Sequence, residues 1–276
     1  MDLIIQGIEI ETRDLRQLAK LSGASKIERI NGNAFRLIDA SQRDRISSLC
    51  LEAELDFAFV DERKSLNQFR LIAMDMDSTL VGIETIDEIA DIHGMRKQVA
   101  EITEKAMYGE IDFSEGLIQR VALLKGLEHS VLQRVYDERL IFNPGAEKML
   151  KKLKVAGIKT MLISGGFTFF TDKLKDRLGL DYTFANTLET VNGRLTGRLL
   201  GEVFGAKGKG WALNKICNEL GFRKENLIAI GDGANDLSMF AEAGVSIAYH
   251  AKPIVQENAT YAINHVGLDG VINIFQ

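Results

Sequence analysis

Four short apolar runs constrain this chain more than any other feature of its sequence. They lie at residues 71–75 (LIAMD), 159–164 (KTMLIS), 227–231 (LIAIG) and 245–249 (VSIAY). Each is continuously apolar at its centre, as expected of strands covered on both faces in a parallel sheet. Helical stretches separate the runs and supply the crossovers that a parallel sheet requires. Asn143-Pro144 reads as a helix start, with Asn143 as cap and Pro144 in the first turn of a helix to about Val155. Between Ile86 and Phe142 the pattern is helical almost throughout. This insertion, after the first sheet strand, is long enough to form a cap. Residues 188–191 and 194–199 flank Asn192-Gly193, a hairpin signal.

The first 66 residues follow another plan. Residues 3–10 read as a strand, and Thr12 as the cap of a helix with Leu15, Leu18 and Ala19 on one face. Residues 26–30 and 34–38 flank Asn31-Gly32, where a tight hairpin turn needs positive φ at both positions. Ser41 begins a helix with Ile46, Leu49, Cys50 and Ala53 on one face, and residues 56–60 form a last strand. The order βαββαβ is a ferredoxin-like split. Ligand-binding modules of the ACT type use this order, and so do small structural domains. Nothing marks a ligand pocket, so docking or formation of a homodimer outranks small-molecule sensing. The charge-rich residues 61–67 read as a linker.

Composition narrows the partners. Lys and Arg number 34 against 39 Asp and Glu, a net charge of −5, which argues against nucleic-acid binding through bulk positive charge. Cys50 and Cys217 are isolated, as in a reducing compartment, and the four histidines are scattered rather than grouped as zinc ligands. No apolar run approaches the roughly 18 residues of a membrane span. The opening MDLIIQGIEIETRD has no signal-peptide pattern, which leaves the cytoplasm as the default location.

Chemistry gathers just beyond the apolar runs. Asp75-Met76-Asp77-Ser78-Thr79 follows the first, and two carboxylates two residues apart at a strand end point roughly the same way. Such strand ends are where open α/β sheets bind ligands. Gly231-Asp232-Gly233-Ala234-Asn235-Asp236 follows the third run. Ser164-Gly165-Gly166 follows the second, and a hydroxyl with backbone N–H groups at a helix start would bind an anion. Lys207-Gly208-Lys209-Gly210 offers a phosphate-binding lysine or a solvated loop. Each alone also reads as an ordinary turn. Their shared position at one edge of the sheet is the stronger signal. Glycine is skewed the same way: of 25, three lie in the first 70 residues and fifteen from Gly165 onward.

The order DMDST, SGG, lysine, GDGANDLSM resembles the haloacid dehalogenase superfamily of phosphatases over roughly residues 70–276. Within it, DMDSTLVGIETIDEIA, FSEGLIQRVALLKG and AKGKG are most similar to the phosphoserine phosphatase branch. The resemblance implies an α/β fold with a Rossmann-like parallel-sheet core at 67–86 and 143–276. It also implies a helical cap at about 87–142, beside the ferredoxin-like, ACT-like unit at 1–66. It implies Mg²⁺-dependent hydrolysis of O-phosphoserine to L-serine, the last step of serine biosynthesis. Asp75 is then the nucleophile that forms an aspartyl-phosphate, and Asp77 the general acid and base.

Mg²⁺ would be held by the carboxylates of Asp75 and Asp232 and the backbone carbonyl of Asp77, with Asp236 behind them. Ser164, Gly165 and Lys209 would bind the phosphate, and Asn235 the substrate or phosphate. Lys207 competes with Lys209, which the family's spacing of 23 residues to Asp232 favours. Glu84 would pair with the substrate ammonium and Arg120 with its carboxylate; Met107 and Phe113 would line the closed cap. Phosphoryl transfer to another hydroxyl, such as that of homoserine, uses the same residues and is the alternative. A regulatory binding protein with residual catalysis is a third reading, and the intact residue set disfavours it.

Overall fold

The computed structural model of the chain describes residues 1–61, 64–107 and 110–276, without the side chains at 106 and 107. The N-terminal part runs β1 (Asp2–Gln6), α1 (Thr12–Ser22), β2 (Lys26–Asn31), β3 (Ala34–Ile38), α2 (Ile46–Glu52) and β4 (Asp56–Val60). Its antiparallel sheet has the order β2-β3-β1-β4, as a ferredoxin-like split requires. Side chains alternate across β1. Leu3 and Ile5 pack with Leu15, Leu18 and Ile46 under the two helices, whereas Ile4 joins Ala58 and Val60 in the main core of the molecule. The sheet is therefore covered on both faces.

Several local expectations shift here. The strand expected at 3–10 stops at Gln6, because Gln6 already pairs with the end residues of both neighbours, Ala34 and Asp56. Glu11, not Thr12, takes the N-cap position of α1, and its side chain makes no capping bond. The hairpin between β2 and β3 forms, but its turn is Gly32-Asn33 and neither residue has positive φ. The Asn31 side-chain oxygen accepts the Asn33 N–H at 2.9 Å and closes that turn. The second helix begins at Ile46 rather than Ser41, because the Ser41 and Gln42 N–H groups both donate to the Ser22 carbonyl. Part of the expected linker lies outside the described residues. Beyond it, the Leu66 N–H donates to the Phe275 carbonyl.

The rest of the chain builds around a seven-stranded sheet. Strand β5 (Leu71–Met74) is followed by the inserted helices α3 (Thr85–Ile92), α4 (Arg96–Met107), α5 (Phe113–Ala122) and α6 (Ser130–Glu138). Then come α7 (Ala146–Val155), β6 (Lys159–Phe167), α8 (Thr168–Leu178), β7 (Tyr182–Val191), β8 (Arg194–Leu200) and α9 (Ala206–Glu219). The chain ends with β9 (Leu227–Gly231), α10 (Leu237–Ala241), β10 (Val245–Tyr249), α11 (Pro253–Glu257), β11 (Tyr261–Ile263) and α12 (Gly270–Ile274). The strand order is β11-β10-β9-β5-β6-β7-β8, all parallel except the β7–β8 hairpin.

The four apolar runs are the central strands, and alternation explains their double-sided burial. Leu71, Ala73, Ile163 and Ala229 meet Ala212, Leu213, Ile216 and Met239 of α9 and α10. Ile72, Met74, Leu162 and Ile230 meet Met149, Leu150, Leu153 and Leu174 of α7 and α8 on the other face. Asn192 and Gly193 both take positive φ, as the second hairpin signal requires.

Three expectations near the ligand edge are corrected. Ser164-Gly165-Gly166 is not a helix start: β6 continues through Phe167, with an irregular register against β7, and α8 begins at Thr168. Lys207 to Gly210 form the first turn of α9 rather than a loop. Gly145, with φ 78°, is the N-cap of α7, so Asn143 is not its cap. The Asn143 amide instead donates to the carbonyls of Ser78 (3.0 Å) and Thr79 (2.8 Å). Tertiary partners outcompete the local capping bond.

Candidate active site

Parallel strands place their carboxyl ends on one edge, and the chemistry of this chain converges there. Asp75 follows β5, and its N–H still reaches the Ile230 carbonyl at 3.0 Å, so the sheet itself holds it. Its side chain is buried. Oδ1 accepts the Met76 N–H (2.8 Å) and the Lys209 ammonium (2.8 Å). Oδ2 accepts no hydrogen bond from the described residues.

Lys209 is fully buried and also reaches Asp236 at 2.7 Å, whereas Lys207 is exposed. Burial works against the Lys209 charge, but Asp236 and Asp75 outweigh it and hold the ammonium above its ordinary pKa. Asp236 is saturated, because its second oxygen accepts the N–H groups of Asp232 (3.1 Å) and Gly233 (3.0 Å). Asp232 accepts the Thr79 hydroxyl at 2.8 Å on one oxygen only. Burial first, and Asp236 next, push its pKa up to about 6, against the Thr79 bond.

Oxygens of Asp75, Asp232 and Asp236 lie within 4.8 Å of one another. An all-oxygen donor set suits a hard divalent cation. The open oxygens belong to Asp75 and Asp232, while Asp236 is occupied in holding Lys209 and the Asp232 backbone. Burial raises the Asp75 pKa well above the ordinary carboxylate range although Lys209 opposes it. A cation between these carboxylates would offset that cost.

Asp77 is half-buried and faces the same space. Its carboxyl accepts the Thr85 N–H (3.1 Å) and the Thr85 hydroxyl (3.2 Å). Burial, then Glu84, then Asp75 raise its pKa well above the usual value, with Thr85 pulling the other way. The carboxyl is thereby biased toward its protonated form, as a general acid needs. Gly166 allows this approach: a Cβ there would lie 2.9 Å from Asp77 Oδ2. Ser164 is buried, and its hydroxyl oxygen accepts the Gly166 N–H at 2.8 Å, which leaves the O–H to donate.

Comparisons with known proteins identify the family. A model of the haloacid dehalogenase-like hydrolases matches residues 69–244. A domain family of unknown function matches residues 3–46. A phosphoserine phosphatase of Polaromonas is 52% identical over 214 residues, 76% of this chain and 91% of the relative. The chain belongs to the phosphoserine phosphatase family of haloacid dehalogenase-like hydrolases.

Solved structures extend the likeness. A probable phosphoserine phosphatase from Vibrio cholerae, unliganded, superposes with a TM-score of 0.87 at 37% identity, over 99% of this chain and 86% of that one. A substrate-bound phosphoserine phosphatase gives 0.71 at 42% identity, over 75% of this chain and 99% of that one. The family's phosphatase fold thus occurs without a counterpart to about a quarter of this chain.

In this member of the family, two further residues face the cleft from the cap side. Glu84 precedes α3 and accepts the Ser78 hydroxyl at 2.7 Å. Solvent reaches it, yet the crowded cleft raises its pKa, chiefly by desolvation. Arg120, on α5, is half-buried, and its Nε donates to the Gly116 carbonyl at 3.2 Å. Burial lowers its pKa, while the fields of Asp87, Glu84 and Asp77 raise it. No carboxylate of the described residues lies within ion-pair distance, so the outer guanidinium nitrogens stay available. Phe113 opens α5 over Gly165. Asn235 is half-buried beside Gly233, and no hydrogen bond to its side chain occurs among the described residues. The Met107 side chain lies outside the described residues.

The sequence reading missed four residues. Thr79 and Thr85 orient Asp232 and Asp77, Asn143 clamps the Asp75–Thr79 loop, and buried Asn186 bonds Gly165. Asn186 had a visible signal, a lone amide in the strand-like stretch YTFANTL. The threonines sat inside quoted motifs, but a hydroxyl's partner 153 residues away cannot be read from spacing.

Proposed function

We propose that this chain hydrolyses O-phospho-L-serine to L-serine and phosphate through an aspartyl-phosphate on Asp75, with Mg²⁺ as cofactor, as the last step of serine biosynthesis. The observation that carries this is the open Oδ2 of buried Asp75, whose other oxygen holds the Lys209 ammonium, close enough to Asp77 for its charge to raise the Asp77 pKa. Membership among phosphoserine phosphatases supports the substrate.

Asp75, Asp232 and the Asp77 carbonyl would hold Mg²⁺, which would supply positive charge to offset repulsion between these acids and the phosphate. Asp75 Oδ2 attacks phosphorus and the bond to the serine oxygen breaks. Asp77 gives its proton to that leaving alkoxide, which is needed because an alkyl alcohol leaves poorly. Asp77, now a carboxylate, takes a proton from water, which attacks the acyl phosphate and frees Asp75. Lys209, the Ser164 hydroxyl and the Gly165 N–H stabilise charge on the transferring phosphoryl oxygens. Asn235 bonds the substrate. Glu84 receives the ammonium and Arg120 binds the carboxylate with paired donors, which selects an amino acid. The division of labour follows: core 67–86 and 143–276, cap 87–142, and the unit at 1–66 as a docking or pairing element. Cys50 and Cys217 are free and buried, which supports a reducing, cytoplasmic setting.

Purified protein with O-phosphoserine and Mg²⁺ is expected to release inorganic phosphate, and the Asp75→Asn variant is expected not to. Unimpaired release by Asp75→Asn refutes the covalent route. No release by the parent from phosphoserine, with release from other phosphomonoesters, refutes the substrate.

A further inference from the structure

Asn186 is a buried amide to which the reaction above gives no role. It lies in β7, and its side chain makes three hydrogen bonds to residues outside that strand. Nδ2 donates to the carbonyls of Gly165 (2.9 Å) and Phe204 (2.9 Å), and Oδ1 accepts the Phe204 N–H (2.7 Å). Two donors and one acceptor are engaged at once, a pattern that neither Asp nor Leu reproduces. Gly165 follows Ser164 in the irregular end of β6. Phe204 precedes Gly205, the N-cap of the helix that carries Lys209. One side chain thus ties the two anion-binding elements of the core together.

The cap rests on the same two points. A Cβ at Gly165 would lie 2.8 Å from Cζ of Phe113, and one at Gly205 would lie 3.1 Å from its Cδ1. The Phe113 ring, at the start of α5, is therefore seated on two glycines. Gly165 is itself held by Asn186, and Gly205 adjoins Phe204, which Asn186 also holds. Close packing transmits small displacements, so the spacing of the two glycines governs how deeply the ring sits. Loosening Asn186 separates the seat without touching Phe113.

We propose that Asn186 is a positioning residue that sets the two-glycine seat of Phe113, and through it the closure of the cap over substrate. The inference rests on the proposed hydrolysis of phosphoserine. Its readout is a KM effect that depends on Phe113, which a general loss of stability would not produce.

The test is a double-mutant cycle of Asn186→Ala and Phe113→Ala, with steady-state kinetics on O-phosphoserine and unfolding midpoints for every variant. Asn186→Ala is expected to raise KM about tenfold in the parent, the scale of buried amide bonds lost, and less than about twofold beside Phe113→Ala. Asn186→Asp keeps the acceptor for the Phe204 N–H and loses both donors, so it serves if the alanine variant does not fold. Gly205→Ala crowds the ring directly and is expected to raise KM in the same Phe113-dependent way. An unchanged KM in the Asn186 variants, or an equal rise with and without Phe113, overturns the proposal. A parent inactive on phosphoserine overturns the function reading instead, and the two failures are distinct.

Discussion

Two buried aspartates at strand ends show how differently the two sheets use the same side chain. Asp56 begins β4, and its carboxylate accepts the N–H groups of Asn264 (2.6 Å), His265 (3.0 Å) and Val266 (3.0 Å). It fastens the N-terminal sheet to the edge of the large one, and both its oxygens are filled. Asp75 follows the end of β5, with one oxygen filled and the other open. The difference is topological. An antiparallel sheet sends successive strand ends to opposite edges, so its polar ends act singly. A parallel sheet sends Asp75, Ser164 and Asp232 to one edge, where the two carboxylates crowd together and each keeps one oxygen without a partner among the described residues. Function concentrates where satisfaction is incomplete.

Asn273 makes the same point for the fastening side. Its amide donates to Gln6 at 3.0 Å and its oxygen accepts the Asn31 amide at 2.8 Å, so α12 bridges β1 and β2. These contacts join the N-terminal sheet to the last helix.

Substitutions sharpen the contrast. Asp75→Asn is expected to lower kcat about a thousandfold or more while moving the unfolding midpoint little. Parallel phosphate-release and thermal-unfolding assays check both halves. Asp77→Asn is expected to cost about a hundredfold on phosphoserine and much less on an aryl phosphate, whose leaving group needs no proton. Equal losses on the two substrates would remove Asp77 from the acid role. Arg120→Lys is expected to raise KM for phosphoserine about tenfold with kcat nearly kept, since one ammonium cannot imitate paired donors.

Asp56→Ala reverses the pattern of Asp75→Asn. It leaves three N–H groups without their acceptor and is expected to destabilise by about 3 kcal/mol in urea unfolding, with kcat unchanged where the protein stays folded. A loss of kcat at full folding would show that the N-terminal sheet shapes the site after all.

The smallest effect is a pH dependence. Asp232 has a folded pKa of about 6 against an ordinary 3.8. A raised carboxyl pKa means the folded state binds more protons, so without cation its contribution is present at low pH and lost as pH rises through about 6. Asp232→Asn should therefore gain stability relative to the parent between pH 4 and pH 8 in chelator. Saturating Mg²⁺ should cancel that gain. A gain independent of pH would contradict the strained carboxylate.

Legibility followed the range of the forces involved. The strands β5, β6, β9 and β10 could be read because burial on both faces demands unbroken apolar residues. The motifs at their ends could be read because glycines and acids there have few other uses. Strand β11 is only three residues long and exists because β10 offers it an edge, so no local pattern announced it. The N-terminal helix starts were misplaced by one to five residues because backbone partners such as the Ser22 carbonyl redirected the chain.

By itself the sequence determined the two sheet types, the inserted helices and the acids, lysine and hydroxyl of the site, since each follows from local periodicity or chemistry. Only the tertiary structure decided which lysine is buried, which oxygen of Asp75 is free, that Asn143 is a clamp rather than a helix cap, and that Asn186 ties Gly165 to Phe204. Hydrogen bonds between residues far apart in the chain made those choices, and their partners are defined only once the sheets have packed.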